Sequence, residues 1–408
     1  MNTVLPLLSG APAAERFELP DSARDGLTTT PFGLYVHVPF CATRCGYCDF
    51  NTYTSDELGP GANRSEYAGT AIAELQRAAA TLGPDLPEVS TVFVGGGTPT
   101  LLPAGDLTAV LAAVRKLFPV ADDVEVTTEA NPETVTPESL ARLRDGGFTR
   151  LSLGMQSAAE HVLAVLDRRH TPGRAVEAAF EARAAGFEHI NLDLIYGAPG
   201  ESAADWAASL AAVLAAPVDH VSAYALIVEA GTRLARRIDR GELPMPDDDV
   251  LADRYEQADA TLRNAGFDWY EVSNWATSDA ARCRHNELYW ANANWWGVGP
   301  GAHSHVGGLR WWNVKHPAAY ADRLAAGGSP VQDSELVDDA ARALETVMLG
   351  LRLRDGLPVT SLSELGRRRA ADAVERGLLE RDAHAAGRAV LTDRGRLLAD
   401  GLVRDLTD

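Results

Sequence analysis

The chain is 408 residues long, 46% hydrophobic and 23% charged, an ordinary globular composition with room for two or three domains. Its formal net charge of −20 argues against a nucleic-acid binder working through a basic face. The first ten residues lack the basic start and long apolar core of a signal peptide. No stretch approaches the ~18 apolar residues that cross a bilayer, so a cytoplasmic location is expected, with any membrane contact peripheral.

Residues 1–30 are rich in Ala, Pro and Asp without a clear period and read as a flexible leader. From Phe32 a β-rich run, a glycine or polar break and an Ala/Leu-rich helical stretch repeat. Strands are predicted over 33–38, 91–95, 123–128, 150–154, 189–194 and 220–225. Helices are predicted between them, over 66–80, 107–117, 137–144, 174–185 and 203–215. Six strands alternating with helices predict a parallel α/β architecture.

Ligands of such folds bind at the carboxyl ends of the strands. Unusual residues stand there: Cys41 after the first strand, Gly95-Gly96-Gly97-Thr98-Pro99 after the second, Glu129 after the third, Gln156 after the fourth and Asp193 in the fifth. These segments are expected to converge on one site. Beyond about Gly231 the pattern changes, and seven of the eight tryptophans lie between Trp269 and Trp312. The last stretch, 335–408, reads as helices, a short hairpin near Arg388–Leu391 and a final helix. A small winged-helix-like domain fits, and with this net charge no nucleic-acid partner is expected.

Cys41, Cys45 and Cys48 stand in a C-x3-C-x2-C run, and Cys283 is the only other cysteine. Structural zinc wants four closed ligands, and no second CxxC or HxxxH lies nearby. A disulfide framework suits neither the length nor the missing secretory signal. A [4Fe–4S] cluster usually takes four thiolates. Three close ligands therefore point to a cluster with one iron left open for a small molecule.

The run from Tyr35 through Cys41, Cys45 and Cys48 to Phe50 resembles the signature of the radical S-adenosylmethionine (SAM) family, and more narrowly of the family around oxygen-independent coproporphyrinogen oxidase. Gly95-Gly-Gly-Thr-Pro-Thr100, Glu129-Ala-Asn-Pro132, Ser152-Leu-Gly-Met-Gln156-Ser157, Asn191-Leu-Asp193-Leu-Ile-Tyr-Gly197 and Tyr224-Ala225 follow in that family's order. The resemblance covers about residues 32–405. It implies a radical-SAM partial (β/α)6 barrel over 31–235, then a C-terminal α+β region: a Trp/His-rich heme-binding part over 236–334 and a winged-helix-like domain over 335–408. It implies Cys41, Cys45 and Cys48 as ligands of a [4Fe–4S] cluster. SAM contacts would be Tyr35, Tyr47, Gly97, Thr98, Pro99, Glu129, Gln156, Arg168, Asp193 and Ala225.

The residue types suit those roles. Gly95–Gly97 let the backbone approach a ligand closely. Glu129 and Asp193 can accept hydrogen bonds from ribose hydroxyls or an ammonium head, and Tyr47 could lie against the adenine. Each has a plainer alternative: an ordinary glycine turn, solvated strand-end carboxylates or helix caps, and for Arg168 a basic run.

Two departures count against coproporphyrinogen decarboxylation. The oxidase pattern has a fourth cysteine where this chain has Phe50, after Asp49, and only 40 residues precede Cys41. A later segment, Cys283-Arg-His285-Asn-Glu-Leu-Tyr289-Trp290, contains H-N-x-x-Y-W and resembles the heme chaperone branch. Tyr270-Glu-Val-Ser-Asn274 and Gly299-Pro-Gly-Ala-His303-Ser fit the same branch. This implies a protein that binds heme and passes it to apo-hemoproteins, among them membrane-bound respiratory enzymes; homodimerisation is left open. His285 is then the expected heme ligand, with Arg282 and Arg284 toward propionates and Tyr289, Trp290, Trp295 and Trp296 as apolar surface. Cys283, His303 and His305 are rival ligands, and the plainer alternative is a core histidine among packed tryptophans. Oxidase and radical-SAM methyltransferase activities stand beside this reading, and whether SAM is turned over stays open.

Overall fold

A computed structural model describes residues 17–58 and 63–407. Six parallel strands pair in chain order: β1 (Phe32–Val38), β2 (Val89–Gly96), β3 (Val120–Ala130), β4 (Arg150–Gln156), β5 (His189–Tyr196) and β6 (His220–Ala225). Helices Arg64–Leu82, Ala104–Leu117, Pro137–Asp145, Arg174–Ala184 and Ala203–Leu214 alternate with them. The first buries Ala68, Ala71, Leu75, Ala78 and Leu82, a stripe at helical spacing. Thr136 with Ser139 and Ser202 with Asp205 form capping boxes that set where two of the helices begin. All seven residues of β4 are buried, as expected of a strand covered on both faces. This is the partial (β/α)6 barrel of the sequence reading, with most strands somewhat longer than expected.

The region after the barrel adds to both edges of the same sheet. β7 (Asp268–Glu271) and β8 (Asn274–Ala276) run antiparallel beyond β6. β9 (Asn294–Val298) lies parallel to β1 and leads into the antiparallel strands β10 (His303–Val306), β11 (Leu309–Asn313) and β12 (Val331–Leu336). The order across the twelve strands is β12-β11-β10-β9-β1-β2-β3-β4-β5-β6-β8-β7. Trp275, Trp296 and Trp311 sit in one continuous apolar core with the barrel strands. Beyond 235/236 the strands join the same sheet, antiparallel next to β6 and parallel where β9 meets β1.

The expected leader also needs correction. Residues 1–16 lie outside the described residues, but Leu19, Ala23 and Leu27 are buried in the main core. The Phe17 ring meets Trp311 at 4.9 Å between centroids, and Arg24 donates to the carbonyls of Thr81 and Leu82. Residues 17–30 are therefore a packed strap.

The last part has its own core, formed by helices Asp339–Gly350, Glu364–Glu375 and Ala399–Thr407. Near the expected hairpin, Leu391 bridges Leu379 antiparallel, and Arg388–Ala389 run antiparallel to Leu357–Pro358. Among the described residues no helix is long and apolar enough to cross a membrane.

Candidate functional site

The cysteine loop is laced to the strand ends by backbone hydrogen bonds. Cys41 N donates to Tyr53 O at 2.9 Å, Gly97 N to Val38 O at 2.8 Å and Thr98 N to Phe40 O at 2.8 Å. Gly46 N donates to Leu166 O at 3.0 Å, and Leu234 N to Gly46 O at 2.8 Å. Gly97 has no substitute here: a Cβ would stand 2.5 Å from Phe40 O and 3.1 Å from Cys41 Sγ. Pro99 then opens a short 3-10 turn. Cys41 is buried, Cys45 and Cys48 are half-buried, and all three thiols are free. Burial, then the neighbouring Cys48, pushes the Cys41 thiol up to about 11, and burial also raises Cys48. Such thiols become ligands when a cation offsets the thiolate charge.

Arg168 is committed to the protein on three sides. It donates to Cys45 Sγ at 3.4 Å, Gly154 O at 3.1 Å and His170 Nε2 at 2.7 Å. It thus ties a cysteine to the end of β4. A cavity of about 1410 Å³ opens here, lined among others by Cys45, Cys48, Arg168, His170, Arg233 and Arg236.

Inside the mouth, Glu129 accepts from Gly96 N at 2.9 Å. Asp193 accepts from Ser152 Oγ at 2.7 Å and Asn191 Nδ2 at 2.8 Å. Both carboxyls lie deep among protein atoms yet keep some accessible surface. Burial, then the charge of Asp193, pushes Glu129 up to about 8, and burial raises Asp193. Gln156 adopts φ 68° where the pairing of β4 with β5 slips between Gly154 and Gln156. A non-glycine residue held in this region costs on the order of 1 kcal/mol, and such irregularities re-aim a side chain at a strand end. Tyr35 OH lies 2.9 Å from His37 Nδ1, and its ring neighbours Phe93. Tyr47 packs beside Val162, Leu166, Ile195 and Leu234, while Ala225 closes β6 half-buried.

These residues fit the groups expected. Cys41, Cys45 and Cys48 would hold the cluster, whose chemistry when bound is one-electron reduction of the SAM sulfonium. SAM brings an ammonium, ribose hydroxyls and a sulfonium, the donors and positive charge that Glu129 and Asp193 lack. Thr127 Oγ1, on the same face of β3 as Glu129, is buried without a hydrogen-bond partner. Gly95 leaves the Glu129 carboxylate its place, since a Cβ there would lie 2.9 Å from Oε2.

The opposite end of the barrel is closed by helix Arg284–Trp290. Glu125 accepts from Arg284 N and His285 N at 3.0 Å each, and Arg150 donates to Ala281 O at 2.7 Å. His285 is 1% exposed. Its Nδ1 lies 2.8 Å from Thr91 Oγ1 and its Nε2 2.9 Å from Tyr289 OH, and its ring stacks on Phe93. Burial lowers its pKa to about 3, so the ring is neutral. Both nitrogens are hydrogen-bonded within the protein, so ligation of heme iron by His285 would require Thr91 or Tyr289 to give way. Cys283 fares no better: it is buried, and burial followed by Glu125 raises its thiol. Arg282 pairs with Asp279 and Arg284 with Asp123, and Trp296 belongs to the core.

Sequence reasoning missed the polar interior between these ends. His220 joins Asn191 at 2.7 Å and Tyr270 at 2.8 Å, and Glu271, pushed up to about 8 by burial, takes a hydrogen bond from Asn274. The usable signal was polar residues at alternate positions of apolar strands: 125, 127 and 129 in β3, 191 and 193 in β5, 220 and 222 in β6.

The Radical SAM superfamily model matches residues 35–213, and the HemN C-terminal domain model matches residues 337–398. A heme chaperone HemW of Mycobacterium tuberculosis is 56% identical over 92% of this chain and 95% of its own length. One from Bacillus subtilis is 33% identical, covering 90% and 96%. In structure, coproporphyrinogen III oxidase (HemN) from Escherichia coli superposes with a TM-score of 0.79 at 22% identity, over 94% of this chain and 92% of that one, a likeness of fold. The chain belongs to the heme chaperone HemW family, within the radical SAM superfamily.

Proposed function

We propose that this chain is a heme chaperone that binds heme and delivers it to apo-hemoproteins, while a [4Fe–4S] cluster and SAM occupy the barrel mouth. The carrying observation is the 56% identity, across nearly the full length of both chains, to a protein named for that activity. Phe50, 55% exposed where the oxidase pattern has a cysteine, separates the reading from coproporphyrinogen oxidation. Free thiols that must stay reduced suit the cytoplasm. From there the chain reaches recipients that include membrane-bound respiratory enzymes.

The test is an anaerobic heme titration of the reconstituted chain, followed by mixing with an apo-hemoprotein. Saturable binding near one heme per chain, with transfer to the recipient, is the expected result. No saturable binding, together with SAM-dependent conversion of coproporphyrinogen, would replace the carrier by an enzyme.

A further inference from the structure

His285 is buried and hydrogen-bonded at both nitrogens, which directs attention to the more accessible histidines. The cavity at the mouth is lined by Cys45, Cys48 and Arg168 and belongs with the proposed cluster site. A second cavity, of about 370 Å³, opens on the outer strands and is lined by Trp295, His303, Ser304, Arg310, Trp312 and Glu335. Building on the heme-chaperone reading, we propose that heme seats here, with His303 as axial ligand and Trp312 and Trp295 against the porphyrin.

Strand geometry assembles this cradle. His303 pairs across β10 and β11 with Trp312, and His305 pairs with both Arg310 and Trp295. Directly paired residues share a face, so these five side chains lie on one side of the sheet. The alternate residues, Val306, Trp311 and Trp296, turn to the core. The cradle is continuous with the barrel lining, because Trp295 pairs with Gly33 of β1.

His303 is the accessible histidine of this face. Its ring stacks on Trp312, with centroids 5.8 Å apart and planes 29° apart. The ring is exposed, so a nitrogen can be presented to a metal. Burial, then Lys315, lowers its pKa, so the neutral, ligating form prevails at neutral pH. His305 is a poorer candidate: it is 4% exposed and its Nδ1 is held 2.9 Å from Ala293 O.

The motif that first suggested heme supports the cradle from behind. Tyr289, bonded to His285, sets its ring edge-on to Trp295 at 4.7 Å, and Trp295 Nε1 donates to His303 O at 3.0 Å. His285 is then a positioning residue, two contacts from the porphyrin. Arg310 is engaged by Glu335 and Glu345, which leaves the propionates to Lys315 and solvent. A pocket this small covers only part of a macrocycle, and a half-exposed heme can be handed on.

The test compares ferric heme binding by the reconstituted full chain with His303→Ala and Trp312→Ala. The wild type should show histidine ligation by resonance Raman and electron paramagnetic resonance. His303→Ala should lose that signature and about tenfold or more in affinity, and free imidazole should restore the signature. Trp312→Ala should weaken binding several-fold with the ligation unchanged. Unaltered ligation and affinity in folded His303→Ala would overturn the assignment and leave the chaperone reading standing. A wild type that binds no heme would overturn both.

Discussion

The two ends of the barrel carry equally conspicuous residues and use them in opposite ways. Around His285 both ring nitrogens, the Glu125 carboxylate and the Tyr289 hydroxyl are matched within the protein. At the mouth the thiols are free, and the charge of Asp193 bears on Glu129. A satisfied polar cluster is architecture, whereas an unsatisfied one facing open space awaits a ligand. The outer cradle belongs with the mouth in this respect, since the His303 ring is exposed.

The largest effect expected is at the mouth. Replacing Cys41, Cys45 and Cys48 together by Ala should abolish bound iron, sulfide and the visible absorbance of the cluster, while circular dichroism keeps the fold. Undiminished iron and sulfide in that variant would break the comparison at its strongest point. At the closed end, His285→Ala should act on stability instead. It empties a packed site and strands the Thr91 and Tyr289 hydroxyls, which together cost about 2–4 kcal/mol. Denaturant unfolding would read that loss. A variant of full stability that had lost heme ligation would return His285 to the role of ligand.

Much of the mouth was legible because spacing and period are local. Three cysteines in eight residues, a glycine run after a strand and carboxylates at strand ends can each be seen within a short window. What escaped depended on distant partners. Whether His285 has a free nitrogen is decided by Thr91, far away in the sequence. Glu74 sits in an amphipathic helix like any surface glutamate, yet it is 2% exposed and bound to Gly299 N at 2.7 Å and Asn313 Nδ2 at 2.6 Å. The tryptophan-rich stretch suggested a separate unit because composition shows density but not pairing. Its strands extend both edges of one sheet.

A smaller effect sharpens the reading of the mouth. Glu129→Gln keeps the shape and the acceptor for Gly96 N but removes the charge offered to SAM. Loss of one charge-assisted hydrogen bond should weaken SAM binding about tenfold, a difference of roughly 1.4 kcal/mol. Equilibrium binding with the cluster intact would measure it. Unchanged affinity would mean that Glu129 is a strand-end carboxyl of no consequence to the ligand.

A last effect separates the two kinds of buried carboxyl by pH. Burial pushes Glu129 and Glu271 up to about 8 and Glu74 up to about 7. An unfolded glutamate titrates near 4.3. Between these values the folded chain holds more protons than the unfolded one, so stability is fullest below about pH 4.3 on this account and falls as pH rises toward 8. Each group contributes at most about 1.4 kcal/mol per pH unit, less where it partly titrates or relaxes. Denaturant unfolding across pH 5–8 should therefore show a declining contribution, reduced in Glu74→Gln and in Glu271→Gln. Saturating SAM should flatten the Glu129 share alone, because its positive groups replace the missing counter-charge at the mouth while the protein-bound carboxyls keep their surroundings. If SAM left the difference between wild type and Glu129→Gln unchanged across that range, the mouth would be as self-sufficient as the closed end.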